Sequence, residues 1–88
     1  MKVIKIGGKT CAECKIMKPR WEEIEAEMPE LTTEMYIIEE HPELTKKYNL
    51  KAIPSFIFLD KEGNELSRLS MIQTKERLIE EVNKFKDK

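Results

Sequence analysis

Cys11 and Cys14 are the only cysteines in the chain, and they stand three positions apart in KTCAECKIMKP, residues 9–19. Two thiols at that spacing can exchange electrons, hold a metal or staple a loop. At the start of a helix the first sulfur lies near free backbone amides and the positive end of the helix dipole. Both favour the thiolate, the reactive species. One helical turn brings the second sulfur within reach of a mixed disulfide on the first. Lys9 and Lys15 flank the pair and support the thiolate, whereas Glu13 between the cysteines opposes it. A structural zinc site draws about four ligands, commonly from a second Cys/His pair. The only further candidate is His41, so no metal ligands are assigned. Covalent haem attachment calls for His directly after the second cysteine, and residue 15 is Lys. These residue types point to a redox pair that carries its own electrons and needs no cofactor. A metal-binding or redox-sensing module without turnover is the rival from another class.

The elements that must position the pair follow from hydrophobic period. Residues 2–6, KVIKI, form a short β-branched strand ended by Gly7-Gly8. Met17, Trp21, Ile24 and Met28 recur at helical spacing after Cys14. Pro19 lies inside that pattern and is expected to kink the helix or end its first turn. TEMYII, residues 33–38, is a second strand, HPELTKKYNL a short helix, and SFIFL, residues 55–59, a third strand. The turn DKEGN leads into a fourth strand over 65–70, and Thr74 caps a last helix carrying Leu78, Ile79, Val82 and Phe85 on one face. The order β-α-β-α-β-β-α predicts an α/β fold in one domain, residues 1–88. Its four-stranded mixed sheet has the first two strands parallel, the last two antiparallel and helices on both faces.

Composition narrows the function classes. The chain has 88 residues, with 40% apolar and 38% charged residues and a net charge of −1, as expected of a small soluble globule. No apolar run approaches a membrane span. MKVIKIGGK is too short in apolar residues for a signal peptide, so a cytoplasmic location is expected. Structural disulfides are rare there. Residues 1–20 carry six Lys/Arg and one acid, and residues 21–45 carry nine acids and no Lys/Arg. The acidic middle argues against nucleic acid as a partner, and the basic segment surrounds the cysteines.

With these features in register, the sequence resembles the thioredoxin superfamily. CAECKIMKP is similar to the family's Cys-x-x-Cys-Lys followed by a helix proline. EEHPELTKKYNLKAIPS resembles the segment running from the second strand to Ile-Pro-Thr, and forty residues separate Cys14 from Pro54. The resemblance implies a thiol–disulfide oxidoreductase in which Cys11 attacks and Cys14, the buried partner, resolves. It also implies a cis Pro54 facing the disulfide and an Ile53 backbone that pairs with substrate. Ile53, Pro54, Met71 and Ile72 are the expected substrate-binding residues. Protein disulfides are the expected substrates, a thioredoxin-reductase-type protein the electron donor, and a monomer the expected state. The sequence departs from the family pattern at several points. The family's first strand and helix are missing, Thr10 replaces a Trp, Ala12-Glu13 replaces Gly-Pro, and Met71 replaces a glycine. Lys5 aligns with the family's buried acid. Lys5 is expected either to stabilise the Cys14 thiolate by charge or to reach solvent. The chain length suggests a glutathione-linked, glutaredoxin-like enzyme as an alternative, against which stands the absent Gly-Gly-Asp pattern.

Overall fold

The computed structural model describes all 88 residues. Strand β1 (Lys2–Gly7) leads into helix α1 (Ala12–Glu27), and β2 (Thr32–Ile37) into the short helix α2 (Glu43–Lys47). Strands β3 (Ser55–Leu59) and β4 (Glu65–Ser70) then precede α3 (Lys75–Phe85). The sheet order is β2-β1-β3-β4. Strand β1 pairs parallel with β2 and antiparallel with β3, and β3 pairs antiparallel with β4. This is the mixed α/β architecture that the element order predicts.

Alternation along the strands decides what each helix layer meets. Val3, Phe56 and Phe58 face Met17, Trp21 and Ile24 of α1 and Leu78 and Val82 of α3. Ile4, Ile6, Ile57 and Leu59 face the other way, onto Leu44 of α2. Strand β3 is buried along its whole length because it serves both layers. Trp21, 2% exposed, lies in the larger layer against Phe56, with ring centroids 5.4 Å apart.

Pro19 neither ends nor interrupts α1, which runs for 16 residues. Its missing amide costs one bond to the carbonyl four residues back, but the Met17–Trp21–Ile24 stripe holds the helix on the sheet on both sides of that gap. Thr74 caps α3 as its sequence position suggests, its hydroxyl accepting from the Arg77 amide at 3.0 Å. Three acids of α1 are neutralised from other elements: Lys75 of α3 pairs with Glu23 and Glu27, and Lys5 of β1 with Glu25.

Candidate active site

Cys11 is the N-cap of α1, with extended φ −126° and ψ 106°, and its Sγ accepts the Cys14 amide at 3.2 Å. A cap acceptor satisfies one of the unpaired amides of the first helical turn, and here that acceptor is sulfur. The same amide and the helix dipole stabilise a negative sulfur at this position once the pair is reduced. The two cysteines are joined as a disulfide, with Cα atoms 5.2 Å apart.

Gly7, at the end of β1, gives this disulfide room. A Cβ there would stand 3.0 Å from Cys14 Sγ and 3.1 Å from Met35 Cε. At Gly8 a Cβ would come within 2.8 Å of Ile53 Cδ1. The glycines that look like a strand terminator in the sequence are thus the floor of the site. The loop entering α1 is tied down by Glu39, whose carboxylate accepts the Lys9 amide at 3.1 Å.

The Ile53–Pro54 bond is cis. Pro54 and both cysteines border the same cavity. The Pro54 carbonyl accepts the Met71 amide at 2.8 Å, which joins the two loops. Met71 has φ 66°, in the left-handed region where glycine is the easy occupant. Met71 and Ile72 are 41% and 48% exposed, and with the half-buried Ile53 they supply an apolar lip on the Pro54 side. Arg20 of α1 donates to the Gln73 carbonyl at 2.7 Å, the Gln73 amide donates to Met17 Sδ at 3.3 Å, and the Gln73 side chain donates to the Ser70 carbonyl at 2.7 Å. This clamp between α1 and residues 70–73 is not legible in the sequence, because Arg20 and Gln73 lie 53 positions apart.

Two sequence expectations change. Cys14 is expected to be the buried partner, yet Cys11 is 7% exposed and buried while Cys14 is only half-buried. The Cys14 sulfur lies close against Gly7, whose missing side chain leaves it room, whereas Cys11 is drawn in as the cap of α1. Lys5 does not reach solvent: its side chain is 15% exposed, and its ammonium pairs with Glu25, which also accepts the Thr33 hydroxyl at 3.0 Å. Glu25 follows Cys14 by eleven residues of α1, about 16 Å of helix rise, so the pairing draws the Lys5 charge away from the sulfurs. Glu13 is half-buried and Lys15 exposed at the helix start. His41 rests edge-on against Tyr36, far from the cysteines in sequence, and no group of three or more His, Cys, Asp or Glu is placed to hold a metal.

A helix-capping Cys-x-x-Cys that shares a cavity with a cis proline on a mixed sheet defines a thioredoxin-like site, and comparison with known proteins agrees. The thioredoxin family model matches residues 1–84. The chain is 34% identical over 74 residues to a thioredoxin of Chlamydia pneumoniae, covering 84% of this chain and 72% of that one. It is 30% identical over 67 residues to thioredoxin H5 of rice, Oryza sativa, covering 76% and 49%. Among solved structures it superposes on the Fasciola hepatica thioredoxin with a TM-score of 0.86 at 26% identity, over 96% of this chain and 79% of that one. The thioredoxin NaTrxh of Nicotiana alata shares the fold with a TM-score of 0.87 at 23% identity, over 96% and 71%. The chain belongs to the thioredoxin family. It is a thiol–disulfide oxidoreductase whose redox centre is the Cys11–Cys14 pair.

Proposed function

We propose that the protein reduces protein disulfides, with Cys11 as the attacking thiolate and Cys14 as the resolving thiol. The observation that carries this assignment is the cap: Cys11 Sγ already accepts a helix amide, so its thiolate is the better stabilised of the two. In the cycle, the Cys11 thiolate attacks one sulfur of the substrate disulfide and expels the other as a thiolate. Cys14, deprotonated, then attacks Cys11 Sγ, releases the second substrate thiol and closes the Cys11–Cys14 bond. The substrate leaves with two electrons and two protons gained.

The substrate chain lies along Ile53 and Pro54, its apolar side chains against Met71 and Ile72. Lys15 favours the Cys11 thiolate and Glu13 restrains it. The part given to Lys5 is to hold Glu25 and so fix α1 on β1 beneath the disulfide. A thioredoxin-reductase-type donor restores the dithiol, and the protein acts as a cytoplasmic monomer without a cofactor. No helix is long and apolar enough to cross a membrane.

Cys14→Ser tests the assignment. This variant should accumulate a mixed disulfide with a protein substrate through Cys11, seen as a mass adduct that dithiothreitol removes. Accumulation on Cys11→Ser alone would reverse the two roles.

A further inference from the structure

Ser55 and Glu81 are the two buried polar residues of the chain. Glu81 joins β4 to α3 through Ser67 and Arg77. Ser55 opens β3 directly after Pro54 and is 1% exposed, in a strand otherwise made of Phe56, Ile57, Phe58 and Leu59. A buried hydroxyl is costly without a partner, so its bonds say why it is there. Ser55 pairs across the sheet with Ile6 on one side and Ser70 on the other, which puts its side chain on the α2 face. Its hydroxyl donates to the Ala52 carbonyl at 2.6 Å. Ala52 lies outside the regular elements, and none of the loop amides donates to that carbonyl. Ser70 Oγ stands 3.4 Å from Ser55 Oγ, within donating distance. The residues spanned by the Ser55–Ala52 bond are Ile53 and Pro54. The residue after Ser70 is Met71, whose amide donates to the Pro54 carbonyl. One buried oxygen thus ties both segments of the apolar lip to the first residue pair of β3 and β4.

We propose that Ser55 is a positioning residue for substrate: its hydroxyl holds Ile53 and Pro54 where an extended substrate backbone can lie along them. The inference rests on the reading of Ile53 and Pro54 as the substrate's seat and adds the group that fixes that seat. Without the hydroxyl, the Ala52 carbonyl loses its bond and the segment between Ala52 and Ser55 turns more freely. A substrate must then freeze that motion as it docks, and the ordering cost weakens its binding. The sulfurs are spared, because Ser55 lies on the α2 face of the sheet whereas α1, which carries Cys14, covers the other. A disulfide without a peptide chain has no use for the seat. The dependence on Ser55 is therefore confined to substrates that present a run of residues beside their disulfide.

The test compares the whole wild-type protein with Ser55→Ala and Ser55→Thr, each reduced with dithiothreitol and then freed of it. Every form is given insulin, which presents a chain around its disulfide, and bis(hydroxyethyl) disulfide, which presents none. The quantity read is the ratio of the two second-order rates. Ser55→Ala should lower the insulin-to-small-disulfide ratio about fivefold, the worth of one net hydrogen bond. Ser55→Thr keeps the hydroxyl and should restore most of it. Glu81→Gln, at the other buried polar residue, is the control for lost stability: urea titration should show a loss, with the ratio at its wild-type value. Should Ser55→Ala fail to unfold cooperatively, Ser70→Ala at the same junction takes its place, with a smaller fall in the ratio expected. A ratio unchanged in the alanine variant, lowered as much in Ser55→Thr, or lowered as much in Glu81→Gln would overturn the proposal. Pro54→Ala reports on the seat itself. If it too leaves the ratio unchanged, the reading of Ile53 and Pro54 as the substrate's seat fails, whereas a ratio lowered by Pro54→Ala and untouched by Ser55→Ala rejects only the role of Ser55.

Discussion

At the scale of single residues, the redox centre depends on an absent atom. Cys14 Sγ is held by its bond to Cys11 and cannot swing aside, so a methyl group at Gly7, 3.0 Å away, must push the disulfide itself. In the reduced protein the Cys14 side chain is free to rotate away from the same methyl. Gly7→Ala therefore raises the energy of the oxidised state more than that of the reduced state. A difference of about 1 kcal/mol corresponds to roughly 20 mV for a two-electron couple, and the reduction potential should move upward by about that much. Equilibration with a glutathione buffer, read by Trp21 fluorescence, measures it. An unchanged or lower potential would show that the strand end relaxes instead. Gly8 makes a useful contrast, because the atom it would meet is the far end of the flexible Ile53 side chain, and Gly8→Ala should leave the potential nearly unmoved.

At the scale of elements, the structure joins pieces that hydrophobic period alone leaves unconnected. The Arg20–Gln73 bond couples α1, which starts with the redox pair, to the segment carrying Met71 and Ile72. Arg20→Met keeps most of the packing length and removes the donor. The expected result is a several-fold higher KM for a protein disulfide, with the rate toward a small aromatic disulfide little changed, because in the proposed binding mode only the protein substrate uses the lip. An equal loss toward both substrates would mean that the variant disturbs α1 itself. A second joint links β4 to α3. Glu81 is buried, accepts from the Ser67 hydroxyl and pairs with Arg77 at 2.9 Å. The Ser67 hydroxyl, and then Arg77, hold its carboxyl below the usual glutamate range. A depressed folded-state value means that the ionised form stabilises the fold. That contribution is complete above the ordinary glutamate value and is lost as pH falls through the folded one. Glu81→Gln should cost about 1–2 kcal/mol at pH 7. The gap between variant and wild type should close below about pH 4, as urea titrations at several pH values would show. A pH-independent gap would assign the loss to packing.

At the scale of the whole molecule, the pattern of what was legible has a physical basis. All seven elements can be read from the sequence to within about three residues, because strand alternation and helical stripes record which face is buried. Val3 and Ile4 lie in opposite layers for that reason. The pairing of Lys5 with Glu25 cannot be read this way, since long polar side chains choose partners across elements and leave no period behind. The fit of the Cys14 sulfur against Gly7 is not a local signal either, because the two residues belong to different elements. Charge shows the same division. The sequence puts basic residues early and acids in the middle, and the structure then cancels many of those acids through Lys2–Glu34, Lys5–Glu25 and Lys75–Glu23. Lys9, Lys15 and Lys18 stay uncancelled around the start of α1, so the redox end is the positive pole of a molecule whose net charge is −1. Such a pole steers partners before contact, and salt screens it over about 10 Å at 0.1 M ionic strength. The second-order rate with an acidic protein disulfide should fall on the order of tenfold between 20 mM and 500 mM salt, measured by stopped-flow Trp21 fluorescence, while a basic substrate should show a flat or rising profile. Replacing Lys9, Lys15 and Lys18 together by Gln should flatten the acidic partner's profile, because net charge then becomes more negative and three unpaired cations at this end are gone. A slope that survives the triple substitution would place the steering field elsewhere on the surface, and the three lysines would then act only at short range.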